Sequence, residues 1–405
     1  MVDKIPTLGG NHFMADINPA DSMERRTSIE RPSENQESMI SNSNKNSTAE
    51  TTYQIFAGSW NVGGVSPPDY LDMQGWLRPN NMKPPANIYV LGFQEIVPLN
   101  AGNVVRSENR KVCEKWNSLI RAALNDKKNK ITEDEEEEVD FRCIISKQMV
   151  GIFISVWISS DLCQYIRHLS VSCVGCGIMG RLGNKGSVSV RFWLHETSFC
   201  FVCSHLASGD KKSDKRRRNA NVTEILSRTT FPPGPFTNLT TKILDHDRVI
   251  WLGDLNYRIY LPDATTQDLV EKQKWKLLLE YDQLKTELME GHVFEGWHEG
   301  EINFAPSYKY YPNSGLYFGR DHKRKHKKRR APAWCDRILW FGKGLEQNQY
   351  ERVESRLSDH RPIRAIFMAE IEVLRAPEGL HSFLSDRFIC LASDFDECFC
   401  DKIFT

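Results

Sequence analysis

The chain has 405 residues, of which 40% are hydrophobic and 26% charged, and its formal net charge is zero. This composition is that of a globular protein with a sizeable core, and it excludes a chain that is disordered throughout. The N-terminus has no apolar signal core, and no apolar run is long enough to span a membrane, so we expect a soluble, cytoplasmic monomer.

The predicted elements begin after a polar N-terminal segment, residues 1–50, which is rich in Ser, Asn and Glu and is predicted to be disordered. Short apolar runs typical of strands then alternate with two stretches of helical periodicity, residues 109–125 and 266–291. This pattern predicts one α/β or α+β domain over residues 51–370, with packed sheets. The tail, residues 371–405, has no pattern that predicts a role. The predicted strands are residues 53–60, 88–95, 149–159, 187–194, 199–206, 248–259, 336–342 and 363–371.

The 11 cysteines lie mostly in apolar runs, which favours reduced, buried thiols over a disulfide framework. Cys173-x-x-Cys176 and Cys200-x-x-Cys203 together imitate a four-thiolate zinc ribbon. The second pair lies in a predicted strand, where residues three apart face opposite ways, so the sequence disfavours a zinc site.

Two segments, WLGDLNYRI (residues 251–259) and PAWCDRILW (residues 332–340), place acidic and amide side chains beside apolar runs. An ionised carboxylate among apolar neighbours is costly unless it is paired or binds a metal. Asp254 and Asn256 are two residues apart, so in an extended strand both would point the same way. We expect them to emerge together at the C-terminal end of a strand, where open α/β folds place their ligands.

Polar residues recur at the ends of the other apolar runs, as expected if one pocket gathers them. Carboxylate and amide oxygens without thiolates suit a hard cation such as Mg²⁺. Histidines and further acids could position and polarise water. The pattern predicts metal-assisted phosphoester hydrolysis, with no covalent Ser or Cys mechanism. The residues are Asn61, Glu95, His205, Asp254, Asn256, Asp336, Asp359 and His360.

Eight motifs occur in the order found in the inositol polyphosphate 5-phosphatases, a family within the DNase I-like endonucleases, exonucleases and phosphatases, and the chain resembles the plant branch. The resemblance implies a four-layer sandwich of two packed mixed β-sheets flanked by helices, with the site at one edge. It also implies Mg²⁺-dependent removal of the 5-phosphate from phosphoinositides or soluble inositol phosphates. The motifs are SWNVGG, FQEIVPL, GIMGRLGNKGSVSVRF, SHLASG, WLGDLNYRI, FAPSYKY, PAWCDRILW and SDHRPI, within residues 52–370.

The resemblance also implies roles at the reaction centre. Glu95 would be the main Mg²⁺ ligand, with Asn61 close by. Asp254 would orient or deprotonate the attacking water, and Asn256 would hold the scissile phosphate.

The resemblance implies that the remaining residues of the set stabilise the negative charge of the phosphate or support the residues that do so. His205 and His360 would stabilise the phosphate oxygens, with Asp336 orienting a histidine. Asp359 would lie beside the metal or the phosphate.

Substrate-binding roles follow from the same resemblance. Lys185, in GNKG, would lie near the 1-phosphate, and Arg337 of PAWCDR is also assigned to substrate binding. The predicted ligands of the 4-phosphate are Tyr308, Lys309, Lys328 and Arg330.

The run RDHKRKHKKRR, residues 320–330, departs from the family pattern in being almost wholly basic. Such a run could draw the protein to an anionic membrane surface. Its residues 323–330 also resemble a nuclear-import or nucleic-acid patch. Ile178 and Met179 could touch the bilayer or belong to the core.

Two other functions compete with the phosphatase interpretation. One is a nuclease of the same superfamily, against which SYKY and PAWCDR argue. The other is a non-catalytic phosphoinositide-binding module, which is weakened because no expected catalytic residue is missing. The sequence leaves open whether the substrate is a lipid or soluble, and whether a 3-phosphate is tolerated.

Overall fold

The structure of the protein is a computed structural model. It describes residues 48–79, 82, 84–105, 108–126, 139–177, 180–233, 240–318 and 330–374. The predictions for the N-terminal segment and the C-terminal tail therefore fall almost wholly outside the described residues. The same holds for most of the basic run and for Ile178 and Met179. No helix among the described residues is both long and apolar enough to cross a membrane.

Twelve strands in the described residues form two six-stranded sheets. The strands are β1 (Thr48–Asn61), β2 (Ile88–Gln94), β3 (Phe141–Met149), β4 (Ile152–Ser159), β5 (Ile166–Gly175), β6 (Gly186–Leu194), β7 (Thr197–His205), β8 (Arg248–Asp254), β9 (His298–Glu299), β10 (Asp336–Phe341), β11 (Leu345–Arg352) and β12 (Ile363–Leu374). One sheet has the order β11-β12-β1-β2-β4-β3 and the other β5-β6-β7-β8-β10-β9. Both are mixed, because β1 is parallel to β2 and β7 is parallel to β8, whereas the other neighbours are antiparallel.

The core lies between the sheets. Ile55 and Ile154 of one sheet and Val190 and Ile250 of the other are fully buried in one apolar cluster. All residues of β2 and β4 are buried. Strands that are covered on both faces have nearly continuous apolar sequences, as these two do.

The described residues contain seven α-helices, of which the two within residues 263–279 pack on the cluster between the sheets and others cover the two outer faces. The seven helices are α1 (Gln74–Leu77), α2 (Ala101–Val105), α3 (Arg110–Leu124), α4 (Lys212–Arg228), α5 (Asp263–Glu271), α6 (Trp275–Leu279) and α7 (Gln283–Met289). Trp116 of α3 packs in a buried cluster with Trp60 of β1, and Ile225 of α4 packs in another with Trp251 of β8. The order helix, sheet, sheet, helix confirms the predicted four-layer sandwich.

The two predicted helices have different outcomes. The periodicity over residues 109–125 is confirmed by α3, whose first turn is capped by the Asn109 side chain accepting from the Val112 amide. The prediction of one helix over residues 266–291 is wrong, because α5, α6 and α7 replace it. Gln273 has a φ of 52°, and the Asp282 carboxylate caps α7 by accepting from the Lys285 amide.

We predict that Gly92→Ala destabilises the fold. A Cβ at Gly92, in β2, would lie 2.1 Å from Leu252 Cδ1 and 2.8 Å from Cys203 Sγ, both in the opposite sheet. Overpacking of this kind costs about 1–3 kcal/mol, to be measured by urea unfolding. Gly315→Ala is the matched control, since its Cβ would meet nothing within 4 Å. Equal unfolding free energies for the two variants would contradict this close packing of the sheets.

Candidate active site

The strand topology gathers the predicted site residues at one edge of the sandwich. In the first sheet, Asn61 pairs with Gln94, so Glu95 follows at the same edge. In the second, Asp254 is paired on one side with His205 and on the other with Asp336. Parallel strands end at the same edge, and the antiparallel neighbours β10 and β12 begin there.

Asp254 is the centre of the hydrogen-bond network. It is 2% exposed, and its Oδ2 accepts from Asn61 Nδ2 at 2.9 Å and lies 3.2 Å from His205 Nε2. Its Oδ1 accepts from the Asn256 amide at 3.0 Å. Asp254 and Asn256 are therefore neighbours as predicted, but strand alternation is not the reason. β8 ends at Asp254, and Asn256 follows in a turn with a φ of 59°.

Nearby cations keep Asp254 ionised. Burial alone would raise its pKa, but contact with His205 and the positive charges of His360 and Lys185 outweigh burial and hold the pKa well below its usual range. A buried carboxylate that stays charged at neutral pH can orient a water molecule and accept its proton.

Lys185 and His205 lie together beside Asp254, and Lys185 is the cation of this pair. Lys185 Nζ contacts His205 Nε2, and burial lowers the pKa of Lys185 to about 8. Burial and the charge of Lys185 also lower the pKa of His205. The structure thus places the Lys185 amine beside His205 and Asp254, and its role near the 1-phosphate stays a prediction.

His360 and Asp336 form a second buried pair. His360 Nδ1 lies 2.8 Å from Asp336 Oδ2, which also accepts from the Ser307 hydroxyl at 2.6 Å. Burial alone would lower the pKa of His360, but Asp336 outweighs it and raises the pKa to about 9. Asp336 therefore orients a histidine, as predicted, and that histidine is a cation at neutral pH. Ser307, which sequence reasoning missed, supports the pair from the FAPSYKY motif.

The predicted 4-phosphate ligands that the structure describes lie beside His360. The Tyr308 and His360 rings are 4.5 Å apart, and Arg330 Nη1 donates to the Tyr308 hydroxyl at 2.7 Å. Lys309 Nζ lies 2.5 Å from Asp359 Oδ2. These side chains form a partly cationic wall next to the reaction centre. Lys328 lies outside the described residues.

Arg337 is a correction to the predicted site. It is 1% exposed, and its guanidinium binds the carboxylates of Glu299 at 2.5 Å and Asp282 at 2.9 Å. Because successive strand residues face opposite ways, Asp336 enters the site while Arg337 points away from it. We therefore assign Arg337 a structural role that ties β10 to β9 and to the cap of α7.

Arg258 is a residue of the site that sequence reasoning missed. Its Nη2 donates to Asn256 Oδ1 at 2.7 Å, while Asn256 Nδ2 donates to the Leu206 carbonyl at 3.1 Å. These two bonds fix the orientation of the Asn256 amide. The Arg258 guanidinium also lies 4.7 Å from the centre of the Tyr308 ring. The motif LNYRI contains Arg258, but the spacing of residues in the sequence does not indicate that the Arg258 side chain points toward Asn256.

Glu95 and Asn61 fit a hard divalent cation. The Glu95 side chain is 29% exposed, and its Oε1 lies 3.8 Å from the His205 Nε2 that also faces Asp254. Among the described residues, this carboxylate makes no hydrogen bond, so its oxygens remain available. Within the described part of the chain, Asn61 Oδ1 accepts only from the Gly63 amide, at 3.0 Å, which leaves it a lone pair. Carboxylate and amide oxygens of this kind are the ligands that Mg²⁺ and Ca²⁺ prefer.

Comparison with known proteins decides the family. A family model described as Endonuclease/Exonuclease/phosphatase family 2 matches residues 58–366. The type IV inositol polyphosphate 5-phosphatase 9 of Arabidopsis thaliana is 54% identical over 399 residues, which cover 96% of this chain and 95% of that protein. The chain belongs to the inositol polyphosphate 5-phosphatase family. The type I inositol polyphosphate 5-phosphatase 8 of the same plant is 49% identical over 349 residues, covering 79% of this chain and 71% of that protein.

A solved structure confirms the fold predicted for this family. The inositol polyphosphate 5-phosphatase domain of SPsynaptojanin, in complex with inositol (1,4)-bisphosphate and calcium ion, superposes with a TM-score of 0.69. Its sequence is 33% identical, and the match covers 81% of this chain and 87% of that one. The predicted resemblance and the DNase I-like sandwich are both confirmed.

We predict a pH-dependent contribution of His360 to stability. Its pKa is about 9 in the fold against an ordinary value of 6.5. Because the folded value is the higher one, the stabilisation is fully present below pH 6.5 and is lost as the pH rises through 9. A shift of this size corresponds to about 3 kcal/mol.

The measurement is the unfolding free energy of the wild type and of His360→Gln, each at pH 6 and pH 10, in EDTA so that no cation intervenes. We expect the difference between the two proteins to shrink by about 3 kcal/mol from the lower to the higher pH. A difference that is the same at both pH values would show that the folded protein does not hold His360 as a cation.

Proposed function

We propose that this protein removes the 5-phosphate of phosphoinositides, phosphatidylinositol 4,5-bisphosphate among them, or of soluble inositol polyphosphates, by Mg²⁺-assisted attack of water. The observation that carries the proposal is the ionised carboxylate of Asp254, enclosed by Asn61, His205 and Asn256. The SPsynaptojanin domain, which shares the fold, is described in complex with inositol (1,4)-bisphosphate and calcium ion, and this supports an inositol phosphate and a divalent cation here.

The proposed roles follow from charge and hydrogen-bonding capacity. Asp254 orients the attacking water and accepts its proton. Asn256, with its amide fixed by Arg258 and Leu206, holds the scissile phosphate through its remaining N–H. Bound at Glu95 and Asn61, Mg²⁺ would supply a Lewis acid for the phosphoryl oxygens.

The cations of the site complement the charge of the transferring group. The His360 imidazolium, held by Asp336, and the side chains of Lys185 and His205 face the region in which negative charge develops. Fixed donors in a buried site stabilise such charge without reorganising. Asp359 holds Lys309 in place for a neighbouring phosphate.

The ring phosphate next to the reaction centre would bind the wall formed by Tyr308, Lys309 and Arg330. Lys328 remains a proposed ligand from the family resemblance. Contact with an anionic membrane through residues 320–330 also remains a proposal, since Arg330 alone of that run is described. The predicted monomeric state is untested.

The intact site favours the enzyme over a non-catalytic binding module. Asp254 is in place with its partners, and a module that only bound phosphoinositide would not need a carboxylate at the reaction centre. Negative charge there opposes a phosphate ligand.

We predict that Asp254→Asn abolishes most of the activity. Loss of a general base lowers the rate by about 100- to 10,000-fold. The measurement is Mg²⁺-dependent phosphate release from phosphatidylinositol 4,5-bisphosphate in vesicles and, in parallel, from soluble inositol 1,4,5-trisphosphate. Asp268→Asn, an exposed residue paired with Lys272 on α5, is the control and should keep full activity.

Release from the vesicles alone would identify a membrane phosphoinositide phosphatase. Release from the soluble compound alone would identify a phosphatase of soluble inositol phosphates. If the folded wild-type protein released phosphate from no 5-phosphorylated inositol compound, the proposed function would be refuted.

We also predict that Glu95→Gln weakens the cation site specifically. The amide keeps the shape of Glu95 but removes its charge, so the Mg²⁺ concentration for half-maximal activity should rise by about 10-fold or more. Calorimetric titration of the substrate-free protein with Mg²⁺ should show the same loss of affinity. Glu280→Gln, on an exposed residue beyond α6, is the control. An unchanged Mg²⁺ affinity in Glu95→Gln would show that the cation binds elsewhere.

A further inference from the structure

A cavity of about 400 Å³ opens beside the reaction centre, and its role is not explained by the chemistry above. Its charged lining residues are Asp210, Arg258, Asp263 and Arg330, and its apolar wall includes Leu261 and Pro332. Arg258 links the cavity to the reaction centre, because the same guanidinium binds Asn256. A group on the substrate that extends past the scissile phosphate on this side would enter the cavity.

Arg258 is buried and faces the cavity with an N–H group that makes no hydrogen bond within the described residues. The residue is 7% exposed, and its Nη1 faces the Cys335 sulfur at 2.8 Å. Burial raises the pKa of Cys335 well above its usual range, so this partner is a neutral thiol. Arg258 Nε is buried without a hydrogen-bond partner among the described residues. The nearest carboxylate on the cavity side is Asp210, whose Oδ1 lies 3.4 Å from that Nε.

Two arginines at a cavity would ordinarily favour a phosphate, and Asp210 changes that preference. Its side chain is 42% exposed and fixed near Arg258, so it presents a negative charge to whatever enters. A hydroxyl group can donate a hydrogen bond to this carboxylate. A phosphate would meet a like charge and would have to displace Asp210 from Arg258.

We propose that Asp210 determines specificity by favouring substrates with a free hydroxyl at the ring position that enters this cavity. The inference rests on the proposed function. If the 4-phosphate binds Tyr308, Lys309 and Arg330, the ring carbon beyond it, away from the scissile position, is carbon 3. Because Arg330 both binds Tyr308 and lines the cavity, a ring whose 4-phosphate met this wall would direct its 3-position toward Asp210. Asp210 thus selects against a 3-phosphate.

The test compares kcat/KM for soluble inositol 1,4,5-trisphosphate and inositol 1,3,4,5-tetrakisphosphate, so that membrane binding does not enter. The wild type should prefer the trisphosphate. Asp210→Asn keeps the size of the side chain and removes its charge, and it should reduce this preference by about 10-fold, mainly through a lower KM for the tetrakisphosphate. Asp268→Asn makes the same charge change on α5 and should leave the preference unchanged.

A second measurement does not require turnover. Calorimetry with inositol 1,3,4-trisphosphate should show tighter binding to Asp210→Asn than to the wild type, with inositol 1,4-bisphosphate as the ligand that lacks a 3-phosphate. If Asp210→Asn changes neither the kcat/KM ratio nor the relative affinity for the two ligands, the inference is overturned. If the wild type hydrolyses neither soluble substrate but acts on vesicles, the same ratio is measured with phosphatidylinositol 4,5-bisphosphate and phosphatidylinositol 3,4,5-trisphosphate. If it acts on no 5-phosphorylated inositol compound, the proposed function itself fails, and the inference fails with it.

Discussion

The charge of Asp254 is the constraint on which the site depends. A carboxylate that is 2% exposed would ordinarily take up a proton, because burial disfavours its ionised form. Here contact with His205 and the positive charges of His360 and Lys185 reverse that effect. Asp336 in turn keeps His360 protonated. Removing one member would leave another charge buried without a partner, so the network should respond as a unit.

The fold explains why these charges can be brought together. Each sheet contains one parallel pair, and the C-terminal ends of both pairs lie at the same edge of the sandwich. Apolar strands buried on both faces hold the backbone of Asn61 and Asp254 in place, so the polar side chains need little ordering of their own. The catalytic groups thus lie on rigid strand ends, while Tyr308, Lys309 and Arg330 lie on the connections between strands.

Sequence predicts the strands that are buried on both faces, and it misses those at the sheet edges. The strands β3, β5 and β11 are half-exposed edge strands with polar residues, so their apolar signal is weak. The prediction of a single helix over residues 266–291 is wrong because the helical structure is interrupted at Asp282. This residue caps α7 and binds Arg337, and helical periodicity does not indicate either contact. Asp254 and Asn256 are correctly placed together, although a turn and not strand alternation brings them there. The roles of Arg258 and Lys185 depend on side-chain direction, which spacing does not determine.

The ionisation state of Asp254 is the most direct test of this account. Carbon-13 NMR of the protein labelled at the aspartate side-chain carboxyl carbons, with the Asp254 signal assigned by its loss in Asp254→Asn, would follow that state in the metal-free protein. The account predicts that the Asp254 signal keeps the chemical shift of an ionised carboxylate from pH 5 to pH 8. Titration of Asp254 near neutral pH would show that the surrounding cations do not overcome burial, and would contradict its role as the base.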